Sequence, residues 1–241
     1  SSNFIKKFFF KILYSFANRI IVNSFEFKTN FKNFYNLNTA VILNPFKIIK
    51  YKKKIPFFKN FRHLKIICIG RLTHQKDHMT LLKSLKILKF KFKVNFRLCL
   101  IGMGYNFSLL SNYIKNNNLQ KNIKLVGYKK NAFEYINCSD LLVHTSRYEG
   151  LPNVLIEAQS LCIPIISSNC PSGPKEILKN GKLGELFKVG DYKDLCKKIF
   201  EYSKNKKMLK KKSILAKKYL YRYDYNKNLK KYEKILKDYT N

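Results

Sequence analysis

The segment "LKIICIGRLTHQKD" (residues 64–77) joins an apolar run of strand length to a glycine and a polar loop. The same alternation repeats downstream, with predicted strands at 64–70, 96–102, 123–127, 140–145 and 163–168 and amphipathic stretches at 77–90, 106–117, 131–137 and 152–162. Nearly continuous apolar strands separated by helices indicate an α/β fold, in which a parallel sheet is covered on both faces. Ligands of such sheets bind beyond the carboxyl ends of the strands, near a topological switch point.

Shorter elements flank this alternation. The N-terminal part predicts helices at 4–17 and 24–36 and strands at 19–23 and 39–44. Pro45 ends that sheet pattern because proline has no N–H for a strand ladder. A basic stretch without clear periodicity follows, and we interpret residues 45–63 as a linker. The C-terminal part predicts three lysine-rich helices, at about 191–203, 205–221 and 225–238.

The composition predicts a folded chain with a strongly basic surface. Of the 241 residues, 46% are hydrophobic, and the formal net charge is +35. Such a charge attracts nucleic acid and anionic membranes. However, Lys, Asn, Ile, Phe and Tyr are over-used together throughout the chain, which favours A/T-rich codon usage as the main source of the charge. No uninterrupted apolar stretch reaches the roughly 18–20 residues that a membrane span needs.

The spacing of cysteines and histidines does not favour a metal site. The six cysteines form no C-x-x-C pair and several lie in apolar runs, which is typical of reduced, buried thiols in a cytoplasmic protein. His74 and His78 are four residues apart, but a pair without a third ligand is more often coincidence. The chain begins with Ser, and we expect it to be part of a longer protein.

The loop after the first main strand carries a cationic pair. Gly70 lets the backbone turn closely, and Arg71 and Lys76 precede a helix that Asp77 is placed to cap. Arginine offers a planar fork of donors and lysine a mobile point charge, so together they suit a diphosphate.

The stretch "RYEGLPNVLIEAQ" (147–159) follows the fourth main strand and opens a predicted helix. Pro152 suits the first turn of that helix, and Gly150 lets the backbone approach a ligand, so the helix N-terminus forms an anion site. Glu149 and Glu157 flank this site. Because carboxylates repel phosphate, we interpret them as acceptors of hydrogen bonds from hydroxyl groups of the ligand. A ligand with phosphate at its centre and hydroxyls on both sides is a sugar nucleotide. The alternative is that both are ordinary acids near a helix N-terminus.

Residues 41–238 resemble the C-terminal half of GT-B glycosyltransferases, in the large retaining family 4. The matching pieces are "VILNPF", "GRLTHQKD", "LCLIGMG", "IKLVGYKKN", "DLLVHTSRYEGLPNVLIEAQ" and "IPIISSNCPSGPKEIL". The resemblance implies a Rossmann-like domain that binds a nucleotide sugar at 64–222. It also implies a remnant of the N-terminal, acceptor-side domain at 1–44 and a helix at 223–241 that crosses back onto that domain.

The resemblance also implies roles for individual residues. Arg71 and Lys76 match the basic pair that holds the donor diphosphate, Glu149 matches the glutamate beside the donor sugar, and Glu157 matches the one that binds ribose hydroxyls. We expect Glu149, Arg71 and Lys76 to be catalytic. The rest of the implied donor site comprises Gly70, Tyr128, Lys129, Gly150, Leu151, Pro152, Asn153 and Gly173. Met103 differs from the polar residue common at its position in the family, so a donor contact is not assigned to it. His144 is interpreted as a packing residue or as one behind the site.

The implied reaction transfers a hexose or N-acetylhexosamine from a UDP sugar to a glycan or polyprenyl-linked acceptor, with retention of configuration. The chain has no D-x-D motif, so neither a metal nor another cofactor is expected. We expect a cytoplasmic location, with peripheral contact at the inner face of the membrane, and an isolated chain that binds nucleotide without catalysis. The alternatives are a basic protein that binds nucleic acid or a membrane surface, and a nucleotide-sugar module without activity; nucleic acid is the less favoured partner.

Overall fold

The structure is a computed structural model that describes residues 2–47 and 56–238, without the side chains of residues 2–7 and 56. Two compact units divide the chain: one combines the residues up to 47 with those from 221 onward, and the other comprises the residues between them. Residues 48–55 of the predicted linker lie outside the described residues, so the linker stays a prediction.

The first unit begins with two helices and two short strands. They are α1 (Ser2–Ser15), β1 (Ile21–Val22), α2 (Phe25–Tyr35) and β2 (Ala40–Val41). The two strands pair in parallel over two residues each, so they are shorter than predicted. The cause on the β1 side is local, because Ser24 already caps α2 by accepting the Phe27 N–H at 3.1 Å.

The second unit is built on a parallel sheet of six strands. They are β3 (Leu64–Ile69), β4 (Phe96–Ile101), β5 (Ile123–Gly127), β6 (Leu141–His144), β7 (Ile165–Ser168) and β8 (Glu185–Phe187). Their order is β5-β4-β3-β6-β7-β8, so the chain fills one side of β3 before it crosses to the other. The topological switch point therefore lies between β3 and β6.

Helices connect these strands, and two more follow the last strand. They are α3 (His78–Phe90), α4 (Phe107–Asn116), α5 (Phe133–Asn137), α6 (Asn153–Ser160), α7 (Pro174–Ile177), α8 (Tyr192–Lys204) and α9 (Lys207–Lys218), with 3₁₀ turns at Pro56–Phe58, His74–Lys76 and Tyr219–Tyr223. Asp77 caps α3 as expected, accepting the Thr80 N–H at 3.4 Å. The sequence did not predict α7 or β8, and the helix expected to reach residue 221 ends at 218 and continues as a 3₁₀ turn.

The core of the second unit explains the hydrophobic strand pattern. Ile66, Leu98 and Leu141 are fully buried at the centre of the sheet, and they belong to a cluster that includes Leu85 of α3 and Ile199 of α8. Burying each such side chain stabilises the fold by about 1.5–3 kcal/mol. The parallel α/β architecture predicted from the sequence is confirmed.

The last helix, α10 (Tyr225–Lys237), returns the chain to the first unit. Asp224 caps it by accepting the Lys227 N–H at 2.8 Å, and the N–H of Phe46 donates to the Tyr223 carbonyl at 2.8 Å. Across the described parts of the chain, no helix combines the length and the apolar character that a bilayer crossing requires. All six cysteines are free thiols, four of them buried.

Candidate functional site

Three loops meet at the carboxyl edge of the sheet, at the switch point between β3 and β6. The N–H of Arg147, in the loop after β6, donates to the Gln75 carbonyl in the loop after β3 at 2.8 Å. The N–H of Glu149 donates to the Pro171 carbonyl, in the loop after β7, at 3.3 Å. The loops that carry most of the predicted site residues are therefore bonded to one another.

An ion pair joins the two most informative residues of these loops. The Lys76 ammonium contacts Glu149 Oε1, and their side chains are 18% and 8% exposed. The same oxygen lies 3.0 Å from His144 Nε2 and accepts the Ser146 hydroxyl at 2.6 Å. Lys76 and Glu149, which the sequence assigned separately to the diphosphate and to the sugar, are thus in direct contact.

The surroundings of Glu149 keep it ionised. Burial alone would raise the pKa of its carboxyl, but the hydrogen bonds from His144, Lys76 and Ser146 outweigh burial and lower it to about 2. The pKa of His144 is lowered, because burial disfavours its charged form more than Glu149 favours it. At neutral pH the site therefore holds an ionised Glu149 and an uncharged imidazole.

Arg71 lies in the same loop as Lys76 but makes a different contact. Its Nη2 donates to Gln75 Oε1 at 3.3 Å, and Gln75 Nε2 donates to the Tyr148 carbonyl at 3.0 Å. The Arg71 side chain is exposed, so its guanidinium is accessible to an anion. The structure brings Arg71 next to the loop of Glu149 through Gln75, whereas Lys76 reaches the carboxylate itself.

Glycines allow the loops to pack closely. A Cβ at Gly102, where φ is +149°, would lie 1.9 Å from the Gly70 carbonyl oxygen. A Cβ at Gly173, where φ is +81°, would lie 2.2 Å from the Gly150 carbonyl oxygen and 2.6 Å from Pro152 Cδ. Only glycine fits both positions. Gly102, the first glycine after β4, therefore fixes the position of the loop after β3.

The helix that follows the glutamate motif begins one residue later than predicted. Pro152 has an extended ψ of 104° and precedes α6, which starts at Asn153. Pro152 and Leu151 are buried, so the segment that enters the helix is packed in place. Glu157 lies in the second turn of α6, and burial raises the pKa of its carboxyl. The side chain is half-buried, so its charge is held there at a cost.

The remaining predicted residues lie beyond the next two strands. Tyr128 and Lys129 follow β5 and are exposed, Tyr128 by 69%. The loop they belong to is tied to the site through the Gly102 N–H, which donates to the Gly127 carbonyl at 3.0 Å. They therefore border the row of loops at its outer end and do not join the Lys76–Glu149 cluster.

The two closely spaced histidines lie in different elements. His74 belongs to the 3₁₀ turn, whereas His78 starts α3 and is buried, and this burial is the main cause that lowers its pKa to about 4. Within residues 2–47 and 56–238, no group of three or more candidate side chains could hold a metal ion.

The sequence model of the family described as glycosyl transferases group 1 matches residues 50–219 of the chain. The chain belongs to this family. An uncharacterised glycosyltransferase of Methanocaldococcus jannaschii is 37% identical over 180 residues, which cover 70% of this chain and 44% of that protein. The capsular polysaccharide biosynthesis glycosyltransferase CapH of Staphylococcus aureus is 30% identical over 218 residues, which cover 87% of this chain and 55% of CapH.

Solved structures show the same fold. The crystal structure of HepE of Anabaena in complex with UDP matches with a TM-score of 0.80 and 21% identity, over 93% of this chain and 65% of HepE. This group 1 glycosyl transferase chain thus has the Rossmann-like architecture of a GT-B glycosyltransferase. It spans about half the length of the two curated relatives described above.

Sequence reasoning missed the side chains behind Glu149. His144 was interpreted as a packing residue or one behind the site, and its direct bond to the carboxylate was not predicted. Ser146 and Ser167 were not singled out, although both bond to His144, at 3.1 and 3.0 Å. The available signal was a histidine and serines ending otherwise apolar strands, as in "LLVH" and "IISS".

Proposed function

We propose that this chain is the donor-binding part of a retaining glycosyltransferase. The enzyme transfers a hexose or N-acetylhexosamine from a UDP sugar to a glycan or lipid-linked acceptor in the synthesis of cell-surface polysaccharide or glycoconjugate. The observation that carries this proposal is the contact of Lys76 with Glu149 where the loops of β3 and β6 meet. One cation and one carboxylate side by side suit the junction between a diphosphate and a sugar.

The proposed chemistry follows from the charges at this junction. The reaction breaks the bond between the anomeric carbon and the diphosphate, so positive charge develops on the sugar and negative charge on the leaving group. Lys76, Arg71 and the N-terminus of α6 stabilise the leaving diphosphate, and such preorganised donors are worth about 2.7–4 kcal/mol each. Glu149, ionised down to low pH, accepts a sugar hydroxyl beside the reacting carbon.

The proposal assigns no metal to the site. Cationic side chains take the place that a divalent ion and its carboxylates would occupy. Glu157, in the second turn of α6, accepts the ribose hydroxyls, and the loop of Tyr128 and Lys129 meets the nucleobase. The chain alone binds nucleotide without transfer, because a cleft between two domains excludes water only when both are complete.

The related proteins support the choice of donor and pathway. CapH is named for capsular polysaccharide biosynthesis, and HepE was crystallised with UDP. The wording "NCPSGPKEIL" (169–178) supports a hexose or N-acetylhexosamine as the transferred sugar, through its similarity to family members that use such donors.

Calorimetric titration of the chain with UDP tests the proposal. Arg71→Ala and Lys76→Ala should each weaken UDP binding by about tenfold or more, since each removes a charge-assisted bond. Arg62→Ala and Lys86→Ala are matched controls, because Arg62 precedes β3 at the opposite edge of the sheet and Lys86 is an exposed residue of α3. Glu157→Ala should also weaken binding. No saturable UDP binding, or equal effects of the test and control variants, would contradict the proposal.

Titration with duplex DNA separates the proposal from a nucleic-acid function. A basic surface without a site binds DNA with an affinity that falls steeply between two salt concentrations and does not respond to UDP. We expect weak, salt-sensitive DNA binding at most, together with saturable UDP binding. Tight DNA binding in the absence of UDP binding would favour the rival function.

Peripheral membrane contact from the cytoplasmic side is part of the proposal, because a lipid-linked acceptor lies at the membrane. Helix α1 and the turn after it support it with exposed aromatic side chains: Phe8 and Phe9 lie in the helix, and Phe16, just after its end, is 80% exposed. Flotation with anionic vesicles should recover the chain, and Phe16→Ser should reduce that recovery relative to Phe58→Leu in the second unit. Equal recovery of both variants would count against contact through the turn that follows α1.

A further inference from the structure

His144 is a buried polar residue at the end of an apolar strand, with a bond on each side of its ring. It is 3% exposed, its Nε2 lies 3.0 Å from Glu149 Oε1, and its Nδ1 lies 3.0 Å from Ser167 Oγ. His144 and Ser167 are register partners on the neighbouring parallel strands β6 and β7. The backbone of the sheet therefore fixes the spacing between the imidazole and the hydroxyl that it meets.

The chemistry of these groups assigns the hydrogen atoms. An ionised carboxylate only accepts hydrogen bonds, so the nitrogen that faces Glu149 must carry the hydrogen. A neutral imidazole then has an unprotonated Nδ1, which accepts the hydrogen of the Ser167 hydroxyl. The Ser167 hydroxyl is also placed to donate to the Ser168 carbonyl at 3.1 Å, so the Nε2–H tautomer requires its single hydrogen to turn from that carbonyl to the ring.

We propose that His144 is a positioning residue for Glu149, held by Ser167 as the Nε2–H tautomer. This inference rests on the proposed function, in which Glu149 faces the donor sugar. His144 does not touch the ligand itself; it acts through the carboxylate.

The arrangement leaves one carboxylate oxygen for the ligand. Among the described residues, Lys76, His144 and Ser146 all meet the same oxygen, Oε1. Three donors on one oxygen fix the rotation of the carboxylate, so Oε2 keeps its lone pairs for a sugar hydroxyl. The Lys76 ammonium has two further hydrogens, with which it can meet a phosphate while it stays bonded to Glu149.

The first experiment reads the tautomer directly. The chain is labelled with ¹⁵N-histidine, and the ring nitrogens of His144 are assigned by comparison with a His144→Gln variant. We expect a neutral ring at pH 7 with hydrogen on Nε2. The Nδ1–H tautomer or an imidazolium would overturn the proposal, and this readout does not depend on nucleotide binding.

The second experiment compares two replacements of His144 in calorimetric titrations with UDP, UDP-glucose and UDP-N-acetylglucosamine. Leucine fills the space without a donor, whereas the glutamine amide can replace the Nε2–H. His144→Leu should bind the two UDP sugars about tenfold more weakly, the factor expected when a bond to a charged group is lost, and should bind UDP as the native chain does. His144→Gln should recover most of that affinity.

The outcomes separate this inference from the proposed function. If the native chain binds UDP but the leucine and glutamine variants match it, or are equally impaired for all three nucleotides, the positioning role is wrong and the proposed function stands. If the native chain binds none of the nucleotides, the proposed function fails, and the tautomer still decides whether His144 donates to Glu149. If the leucine variant does not fold, the titrations of the glutamine variant and the tautomer measurement decide the question.

Discussion

Replacing Gly102 by alanine tests whether close packing between loops holds the site in place. The added methyl carbon would lie 1.9 Å from the Gly70 carbonyl oxygen and 2.8 Å from its carbon. Because Cβ atoms essentially never approach other atoms within 3.0 Å, the two loops must separate by more than 1 Å. The loop that moves carries Arg71 and Lys76.

The loss of stability can be worked out from the hydrogen bonds that hold the two loops together. The Gly70 N–H donates to the Ile101 carbonyl at 3.0 Å and the Leu72 N–H to the Met103 carbonyl at 2.8 Å, on both sides of the contact. Weakening two such bonds costs about 1 kcal/mol each. Forcing alanine into a conformation that favours glycine costs about 1–3 kcal/mol more. We expect the free energy of unfolding to fall by about 3–5 kcal/mol.

Gly190→Ala is the matched control, because Gly190 has a φ of +76° and no atom within 4 Å of the added Cβ. It should lose only the conformational part, about 1–2 kcal/mol. Thermal unfolding followed by circular dichroism should place Gly102→Ala roughly 10 °C below the native chain and Gly190→Ala a few degrees below it. UDP titration should show a loss of affinity for Gly102→Ala alone. Equal melting temperatures and equal affinities for the two variants would refute the packing argument.

Three further predictions concern the acids and the metal. The folded pKa of Glu149 is about 2, below the ordinary 4.5, so its contribution to stability is present above pH 4.5 and is lost as the pH falls towards 2. Urea unfolding of Glu149→Gln should therefore lack this part of the acid destabilisation. The same pH profile for the variant and the native chain would contradict the prediction. Burial raises the pKa of Glu157, so its charge opposes folding at neutral pH. Glu157→Gln should therefore melt at a higher temperature than the native chain at pH 7, yet bind UDP more weakly. A variant with lower thermal stability and lower UDP affinity would point to a structural role. A chelator should leave the Kd of UDP unchanged, whereas a tenfold or greater loss would indicate a metal.

The strands of the second unit could be predicted because they are buried on both faces. β3 and β4 read "LKIICI" and "FRLCLI", and each lies within a residue of its predicted bounds. β8 is only "ELF", Glu185–Phe187, and its pairing with β7 depends on residues distant in sequence, so no periodic pattern marked it. α7, with four residues, is equally too short to show a helical period.

The site could be predicted as far as the loops that carry it. Strand ends place Arg71, Lys76 and Glu149 at one edge of a parallel sheet whatever the order of the strands. The direct pairing of Lys76 with Glu149 could not be predicted, because it requires β3 and β6 to be neighbours, and only the assembled sheet decides that order. The His144–Ser167 bond likewise depends on the register between β6 and β7.

The ends of β6 and β7 carry polar side chains at buried positions, where apolar side chains are usual. His144 and Ser167 are buried in positions where the preceding residues of both strands are apolar, and Ser168 donates its hydroxyl to the Ser146 carbonyl at 2.6 Å. A buried polar group without a partner costs about 1–3 kcal/mol, whereas replacing both partners by apolar groups is nearly neutral. Stability alone therefore does not require this network. The network lies only at the carboxyl edge, behind the single carboxylate of Glu149. This location is explained if the network orients Glu149 for a ligand.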